Sequence, residues 1–438
     1  MNILLINQFY PPDIAPTGVK LHDLARHLVA GGHNVTILSS TGSYNGNKFF
    51  KSEVLDDVNV LRLNATNFGR KTYLGKLSDY LSFFIILFAK LVVLKPQPDV
   101  VVALTTPPYL GIIPVVVFGI RNKKTQKGRT SSNNVIKQGT KIVHWIMDLY
   151  PDVINAHGII KENSIIYKFL SFINRITFAH SDTIIVLGPS MINRIEKYFE
   201  KPIAKTKVPF DARKEDINDE NFKRVCKSPN VKCVPLWGDP DLRSLTEHDA
   251  KIIRSQYGWK EDDLVLMHAG NLGLGVGLDE FLRAADKLGP KGPVWAFFGN
   301  GKRWTEMHQF TQMHKHARIE LYDYAPKTIL GAADVHLVSL LSSWTGVGVP
   351  SKLQNIFSMN KPVIFIGSMK SEMAQWIMDC GGGWVVNEGD IDGLLLSIEA
   401  ARDSQERIRR GLAASAFAEK YFNQNNNCER IAKIIVEK

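Results

Sequence analysis

The chain has 438 residues, of which 45% are hydrophobic and 22% charged, and its formal net charge is +11. This length predicts two domains, each large enough to bury its own core, and the composition excludes a disordered or fibrous protein. No stretch reaches the ~18 uncharged apolar residues that a membrane-spanning helix needs. The four cysteines lack CxxC or zinc spacing, which indicates reduced thiols, and the first residues do not read as a secretory signal. We therefore expect an intracellular protein.

The positive charge is concentrated in the first part of the chain. Residues 1–200 carry 22 Lys and Arg against 13 Asp and Glu, whereas the remainder is nearly balanced. Residues 80–95 (YLSFFIILFAKLVVLK) are strongly apolar, and residues 121–141 contain seven basic side chains and no acid. This combination is typical of a protein that binds an anionic membrane surface without crossing it. The alternative is a buried core helix followed by a solvated loop. No nucleic-acid partner is expected, because aromatic and basic residues do not interleave.

In chain order, the first half has the pattern of a Rossmann-like domain. An apolar strand over 2–7 is followed by a loop, by a helix that stops at Gly31-Gly32, and by a second strand over 33–40. Such a βαβ unit predicts a parallel sheet with a ligand crevice at the carboxyl ends of its strands. Further buried strands are predicted at 98–106, 141–148 and 182–188.

The same alternation restarts at Leu264 with a strand, a glycine-rich loop and an amphipathic helix (LDEFLRAADKLG). The predicted class is therefore α/β, with two Rossmann-like domains facing a central cleft. Further apolar segments of the second domain lie at 293–301, 318–326, 333–341 and 361–367. The predicted boundaries are an N-terminal domain over 1–200, a connector over 201–240, a C-terminal domain over 241–405, and helices over 406–438 that can pack back on the first domain.

Three glycine-containing turns follow predicted strands in the second half. The turns at Gly270 to Gly277 and at Gly299 to Gly301 suit either phosphate binding or tight packing. The third turn feeds a helix, with Ser351 predicted at its N-cap and Lys352 in its first turn. A lysine at that end opposes the helix dipole, so its presence makes sense where a diphosphate binds both the lysine and the helix amides.

Taken together, these segments resemble glycosyltransferase family 4 enzymes of the GT-B fold, nearest the subgroup that builds bacterial capsular, colanic-acid-type and O-antigen polysaccharides. The resemblance implies transfer of a sugar from a nucleotide-sugar to an acceptor hydroxyl, with retention of configuration and without a metal or other cofactor. The nucleotide is then expected on the C-terminal domain and the acceptor on the N-terminal one. The matching segments cover nearly the whole chain in the family's order: YPPDIAPTG, GGHNVTILSS, WIMDLYPDVI, SDTIIVLGPSM, HAGNLGLGVGLDEFLRAADKL, FFGNGKRW, GAADVHLV and VPSKLQNIFSMNKPV.

The resemblance also implies roles for individual residues. Asp148 matches the acidic position that faces the reacting sugar, and Lys352 matches the lysine that stabilises charge on the departing nucleotide. Asp13 and Thr17, in the first loop, are the implied acceptor-binding residues. The implied donor-binding residues are Gly18, Gly270, Asn271, Gly299, Asn300, Tyr324, Ser351, Lys352, Leu353 and Asn355.

The chain departs from the family pattern in its second half. Many members carry two glutamates eight residues apart where this chain has Val347 and Asn355, and a basic residue near Val276. The amide of Asn355 can still hydrogen-bond a ribose hydroxyl. The sequence Asp239-Pro240-Asp241 is predicted to be a turn rather than a metal site. An alternative role for Asp148 is likewise to cap a turn.

Three functions follow from these patterns. The preferred one is a glycosyltransferase at the cytoplasmic face of the plasma membrane that extends a polyprenyl-diphosphate-linked saccharide. It would bind the anionic membrane through residues 80–95 and 121–141. The second is a sugar-nucleotide epimerase on the same fold, which the PSKL turn makes less favoured. The third is a catalytically silent scaffold in a polysaccharide assembly complex, which the absent glutamates favour modestly.

Overall fold

Two β-sheets organise the protein, whose computed structural model describes residues 1–44, 50–69, 72–119, 139–199 and 231–437. The first sheet contains β1 (Asn2–Ile6), β2 (Asn34–Ser40), β3 (Glu53–Leu55), β4 (Val58–Leu63), β5 (Val100–Ala103), β6 (Lys141–Trp145), β7 (Thr183–Val186) and β8 (Val231–Cys233). The second contains β9 (Val265–Ala269), β10 (Val294–Phe298), β11 (Ile319–Tyr322), β12 (Val335–Leu340), β13 (Val363–Gly367) and β14 (Gly383–Val386).

Helices connect these strands and cover both sheets. In the first half they are α1 (Pro16–Ala30), α2 (Tyr73–Val93), α3 (Ile112–Pro114), α4 (Asp152–Ala156), α5 (Ile165–Ala179) and α6 (Pro189–Ile195). In the second half they are α7 (Glu247–Gln256), α8 (Asp279–Leu288), α9 (Trp304–Met313), α10 (Lys352–Ser358), α11 (Glu372–Cys380), α12 (Ile391–Ala400), α13 (Ser404–Tyr421) and α14 (Gln424–Val436).

Both sheets have the open, doubly wound order that the βαβ pattern predicts. The first runs β3-β4-β2-β1-β5-β6-β7-β8 and the second β11-β10-β9-β12-β13-β14. Within the described residues every strand pair is parallel except β3 with β4. The strand order reverses beside β1 and beside β9, and a ligand crevice forms at such a reversal. The predicted fold class is confirmed.

The core explains why these segments became buried strands and amphipathic helices. On one face of the first sheet, Leu21, Leu24 and Leu28 of α1 pack against the strands, together with residues of α14. On the other face, α2 buries Phe83 and Leu87, which are spaced by four residues as a helix face requires. The last helix of the chain therefore covers the first sheet rather than the second.

The structure contains strands that the sequence patterns did not indicate. β3 and β4 form a hairpin whose turn holds Asp56 and Asp57 at left-handed φ values of 50° and 61°. β8 lies within the predicted connector 201–240, yet it pairs with β7 and extends the first sheet. Residues 201–230 of that connector lie outside the described residues, as do residues 121–138 of the predicted basic segment 121–141.

Two global expectations can be compared with the described residues. Cys233, Cys380 and Cys428 have free thiols, and Cys226 lies outside the described residues, so the redox state of the four cysteines stays a prediction. Among the helices of the described ranges, none combines the length and the apolar character that a membrane crossing requires.

Candidate functional site

A pocket opens at the carboxyl edge of the second sheet, where β9, β10, β12 and α10 meet. Its volume is about 220 Å³. Four of the residues predicted to bind a donor line it together, although they come from three separate segments of the chain: Gly270, Tyr324, Lys352 and Asn355. Much of the remaining lining is apolar and comes from Phe298, Ala325, Ile329, Leu330, Leu337 and Ile356. Lys327 and His336 also line the pocket, and Lys327 forms an ion pair with Asp239. The pocket thus combines an apolar wall with basic side chains.

Two glycine loops pack against each other beside this pocket. The Gly270 amide donates to the carbonyl of Phe298 over 2.8 Å, and the Leu272 amide donates to that of Asn300 over 2.8 Å. Gly299 has a φ of 133°, and a Cβ there would collide with the carbonyl oxygen of Gly270. Close loop packing therefore requires Gly299. The side chain of Asn300 accepts a hydrogen bond from the amide of Gly301.

Asn271 is exposed next to this loop pair. Like Gly299 and Asn300, it is not among the residues that line the pocket. The oxygen of its side chain lies 2.6 Å from where a Cβ on Gly301 would stand. These three residues shape the loops of the site, and their predicted contacts with a donor stay predictions.

Lys352 reaches across the pocket floor towards β9. Its Nζ lies 2.9 Å from Nε2 of His268, and burial lowers the pKa of Lys352 to about 7. A Cβ on Gly270 would lie only 2.9 Å from Cε of this lysine, so the glycine leaves room for its stem. The pocket therefore contains a cation whose charge burial makes costly and which an anionic ligand would stabilise.

The residues flanking Lys352 depart from several expectations. Ser351 occupies the N-cap position of α10, but its side chain makes no capping hydrogen bond. The side chain of Leu353 is completely buried in the core and does not line the pocket, and the predicted donor contact of this residue stays a prediction. Asn355 accepts a hydrogen bond from the Asp239 amide over 2.8 Å. The side chain of Asp239 in turn accepts from the Asp241 amide and caps a short 3-10 helix, Pro240–Ser244, in place of the predicted turn.

Tyr324 lies at the mouth of the pocket. Its side chain is 64% exposed, and it follows β11 at the carboxyl edge of the sheet. Nearby, Phe298 and Tyr322 stack with ring centroids 4.7 Å apart and planes 18° from parallel. Phe298 is 2% exposed and Tyr322 covers one face of its ring, so this pair belongs to the core beside the pocket. The exposed ring at the pocket is that of Tyr324.

Asp148 meets the second domain from the opposite side of the cleft. It forms an isolated β-bridge with Gly348, and the Leu149 amide donates to the carbonyl of Val347 over 2.7 Å. A Cβ on Gly348 would lie 2.6 Å from Oδ1 of Asp148. The Asp148 side chain opens into the cleft, where surrounding protein displaces water and raises its pKa to about 6. Because this carboxylate accepts no hydrogen bond from the described residues, the structure gives no support to its alternative role as a turn cap.

The first loop is held by its own polar side chains. Asp13 is 6% exposed and accepts a hydrogen bond from the Tyr44 amide over 2.6 Å, and burial raises its pKa. Thr17 accepts from the side chain of Asn7 over 3.3 Å. Gly18 lies in α1, where a Cβ would come within 2.7 Å of the Phe9 carbonyl oxygen. All three residues support this loop, and their predicted ligand contacts stay predictions.

Three polar residues at the carboxyl ends of strands were not indicated by the sequence patterns. Asn7 and Gln8 directly follow β1 and are buried, and their side-chain oxygens accept no hydrogen bond from the described residues. His268 lies within the apolar strand β9 and is 1% exposed. A polar residue at the carboxyl edge of a parallel sheet is itself a signal for a binding site.

Contacts between the domains surround the cleft. The rings of His157 and Trp344 meet edge to face at 4.7 Å, and the Ser190 hydroxyl donates to the buried carboxylate of Glu372. Together with the bridge at Asp148, these contacts bring the carboxyl edges of the two sheets towards each other. The arrangement fits chemistry on a molecule that both domains bind.

No family model matches the chain. It is 24% identical over 251 residues to a probable glycosyltransferase, WbjE of Pseudomonas aeruginosa, a match that covers 56% of each protein. Over 152 residues it is 24% identical to WcaI of Escherichia coli, a putative colanic acid biosynthesis glycosyl transferase, and covers 33% of this chain and 37% of WcaI. The chain thus matches little more than half of the first relative's length and just over a third of the second's.

Solved structures resemble nearly the whole chain. Sucrose-phosphate synthase of Thermosynechococcus elongatus has a TM-score of 0.70 at 12% identity, covering 99% of this chain and 98% of its own. WaaG, a glycosyltransferase of lipopolysaccharide biosynthesis, has 0.66 at 15%, and Anabaena HepE bound to UDP-glucose has 0.65 at 13%, with full coverage of both chains in each case. The protein has the GT-B fold predicted from its sequence. Both curated relatives are named as glycosyltransferases.

Proposed function

We propose that the protein is a glycosyltransferase that moves a sugar from a nucleotide-sugar to a saccharide in bacterial surface polysaccharide synthesis. The observation that carries this proposal is a partly buried lysine, Lys352, in a pocket at the carboxyl edge of the second sheet. The names of the curated relatives support the activity, and the bound UDP-glucose of HepE supports the class of donor. The exposed ring of Tyr324, at the mouth of the pocket, would contact the base.

Lys352 would act on the leaving group. As the bond between the anomeric carbon and the diphosphate breaks, negative charge accumulates on the departing phosphate oxygen. A cation already placed in a site that excludes water stabilises that charge more strongly in the transition state than in the ground state. The acceptor oxygen bonds to the anomeric carbon on the same face, and its proton passes to the leaving phosphate oxygen, so that configuration is retained.

Asp148 would face the sugar from the first domain. At neutral pH a carboxyl group with a pKa of about 6 is mostly ionised. Its negative charge would then stabilise the positive charge that develops at the anomeric carbon. Its bridge to Gly348 fixes it beside the loop that leads to Lys352. We place the acceptor saccharide by the first loop, near Asp13 and Thr17.

We also propose that the reaction needs no metal ion. The phosphate charge would be met by Lys352. In the described ranges, one group of His and Asp side chains has ligand atoms close enough for a metal, within 4.8 Å of one another: Asp286, His314 and His316. Asp286 lies near the end of α8, and the two histidines precede β11. This group is therefore at the amino edge of the second sheet, away from the pocket.

The acceptor would be lipid-linked, and α2 supplies the membrane contact. Its inner face is core, since Phe83 and Leu87 are completely buried, whereas Leu81 and Ile85 on the outer face are 53% and 69% exposed. The core-helix interpretation of residues 80–95 therefore applies to the inner face of α2, and the membrane-contact interpretation applies to its outer face. The single acid in α2, Asp79, is buried and binds backbone amides, so the exposed face carries no negative charge.

Helix α5 extends this apolar surface. It exposes Ile165, Phe169 and Phe172 by 57% or more and contains Lys168 and Arg175 but no acid. Both α2 and α5 pack against α3, which places them on the same side of the first sheet. Apolar side chains with basic neighbours suit the interface of an anionic bilayer. We propose that this side rests on the cytoplasmic face of the membrane that holds the acceptor.

The first test is a thermal-shift panel of UDP, GDP, ADP and their sugars, starting with UDP-glucose, in the presence of EDTA. A ligand at 100 times its dissociation constant stabilises a fold by roughly 2.7 kcal/mol, which gives a measurable shift in Tm. We expect one nucleotide and its sugars to raise Tm, and Lys352→Ala to weaken the response. A protein that responds to none of them contradicts the proposed donor site.

Transfer itself is tested with the nucleotide-sugar that the panel selects and lipid-extracted acceptors, again with EDTA. A product that contains the donor sugar supports the proposed reaction. Donor binding without transfer or hydrolysis under any of these conditions would favour the silent scaffold. Activity that requires added Mg²⁺ or Mn²⁺ would contradict the metal-independent mechanism.

A further inference from the structure

The partner of Lys352 is a histidine in the interior of a strand. His268 belongs to β9, precedes Lys352 by 84 residues and is 1% exposed. Its Nε2 lies 2.9 Å from Nζ of the lysine. Within the described residues no carboxylate forms an ion pair with Lys352. A neutral ring is therefore the contact that orients the cation.

The other ring nitrogen determines which way this hydrogen bond runs. Nδ1 of His268 lies 3.1 Å from the carbonyl oxygen of Leu337, and a carbonyl oxygen only accepts. Nδ1 therefore carries the proton, and the lone pair of Nε2 accepts an N–H from Lys352. Burial keeps the pKa of His268 well below its usual range, so the ring is neutral and does not repel the lysine.

A histidine suits this position better than an acid. A buried carboxylate would pair with the lysine, neutralise it and compete with an incoming phosphate. A neutral acceptor fixes one N–H of the ammonium group and leaves its charge and its other N–H groups for a ligand. Gly270 leaves the space that the stem of Lys352 occupies, since a Cβ at that position would lie 2.9 Å from Cε of the lysine.

We propose that His268 is a positioning residue that aims Lys352 at the diphosphate of the nucleotide-sugar. This inference rests on the proposed function, since it assigns His268 a task in the same pocket. His268 touches neither the donor nor the acceptor and acts through the lysine. The hydrogen bond from Nδ1 to Leu337 fixes the ring, and the ring fixes the lysine, before the donor binds.

Two substitutions separate the nitrogens of the ring. His268→Gln places an amide oxygen near Nε2 and can still accept from Lys352. His268→Asn keeps a group near Nδ1 that can donate to Leu337, but it is too short to reach the lysine. Because partners that orient a ligand group are typically worth about 10-fold to 100-fold, we expect His268→Asn to lower kcat by about that factor. His268→Gln should recover most of the loss.

The experiment measures kcat, donor KM and Tm for the full chain, for both variants, for Lys352→Ala, and for each His268 variant combined with Lys352→Ala. If His268 acts through the lysine, neither His268 substitution lowers kcat further once Lys352 is alanine. Equal kcat for the Asn and Gln variants, or losses that add to that of Lys352→Ala, would overturn the positioning role. Unimpaired activity of Lys352→Ala alone would instead overturn the proposed function of the lysine.

Discussion

The two domains share one architecture but differ in the location of the side chains that reduce the stability of the folded state. In the first domain the unusual feature is on the outside, where α2 and α5 expose apolar side chains such as Ile85 and Phe169. In the second it is inside, where burial lowers the pKa of Lys352 to about 7 beside a neutral histidine. Neither feature helps a domain to fold alone, since exposed apolar area and buried charge both oppose stability.

This difference suggests a division of tasks between two similar folds. A buried cation becomes favourable when an anion binds it, and an exposed apolar face becomes favourable when it leaves water. The second domain therefore has the property that the proposed charged donor requires, and the first has the property that the proposed membrane contact requires. The bridge between Asp148 and Gly348 joins the two tasks at the cleft.

The largest effect is expected at Lys352. Lys352→Met keeps an apolar side chain of similar length but removes the cation, so turnover should fall by ~10² or more, the usual scale for one group that stabilises a leaving oxygen. The variant should also unfold at a higher temperature than the wild type at pH 6, because the buried ammonium no longer has to be desolvated.

The sign of this stability effect follows from linkage. The folded-state pKa of Lys352, about 7, lies below the unfolded value of 10.5. The loss in the free energy of unfolding that its charge causes is therefore complete below pH 7, and it disappears as the pH rises towards 10.5. Lys361→Met is the matched control. Burial also lowers the pKa of Lys361, which precedes β13 and so lies at the amino edge of the second sheet, away from the pocket. Equal loss of turnover in both variants would contradict a specific role for Lys352.

Gly299→Ala tests whether the donor pocket depends on close loop packing. The new Cβ would collide with the Gly270 carbonyl at a φ of 133°, so we expect a loss of about 2 kcal/mol in the free energy of unfolding and weaker nucleotide binding. Gly381→Ala is the control, since its φ is also positive but nothing lies within 4 Å of its added Cβ. Equal denaturation midpoints for the two variants would argue against the packing explanation.

Ionisation of Asp148 should determine how kcat/KM depends on pH on the acid side of its profile. Because its pKa is about 6, kcat/KM should rise with pH through about 6 as the carboxylate ionises. Asp148→Asn should lower kcat/KM at least about tenfold and abolish that dependence on pH. A pH profile unchanged by the substitution would contradict this role.

The sequence predicted the parts of the fold that depend on local pattern. Apolar strands such as β1 and β9, and the helix α8 with its regular apolar spacing, are where the pattern places them. β8 and β14 were missed because three or four residues give too little periodicity to distinguish a strand from a loop. The turn of the β3–β4 hairpin rests on two aspartates at positive φ, which is uncommon for residues other than glycine.

The sequence predicted which segments of the chain form the site, but not the contacts between their side chains. The family resemblance placed Gly270, Lys352 and Asp148 near one cleft, because turns after parallel strands converge at one edge. It did not indicate His268, whose contact with Lys352 spans 84 residues and depends on the tertiary fold. It also assigned Leu353 to the donor, whereas its helical position points its side chain into the core.

The smallest expected effect tests the outer side of the first domain. Leu81→Glu changes an exposed residue of α2 and should leave Tm and donor binding unchanged, but it should weaken binding to vesicles that contain anionic lipid. A charge near such a surface is worth about 1 kcal/mol, so the expected change is roughly fivefold. Leu412→Glu on α13 is the matched control, because the two leucines are 53% and 58% exposed. Co-sedimentation measures both, and equal behaviour would show that the apolar face of α2 does not contact the bilayer. If only Leu81→Glu loses vesicle binding while donor binding is unchanged, membrane binding by the first domain and donor binding by the second are shown to be independent.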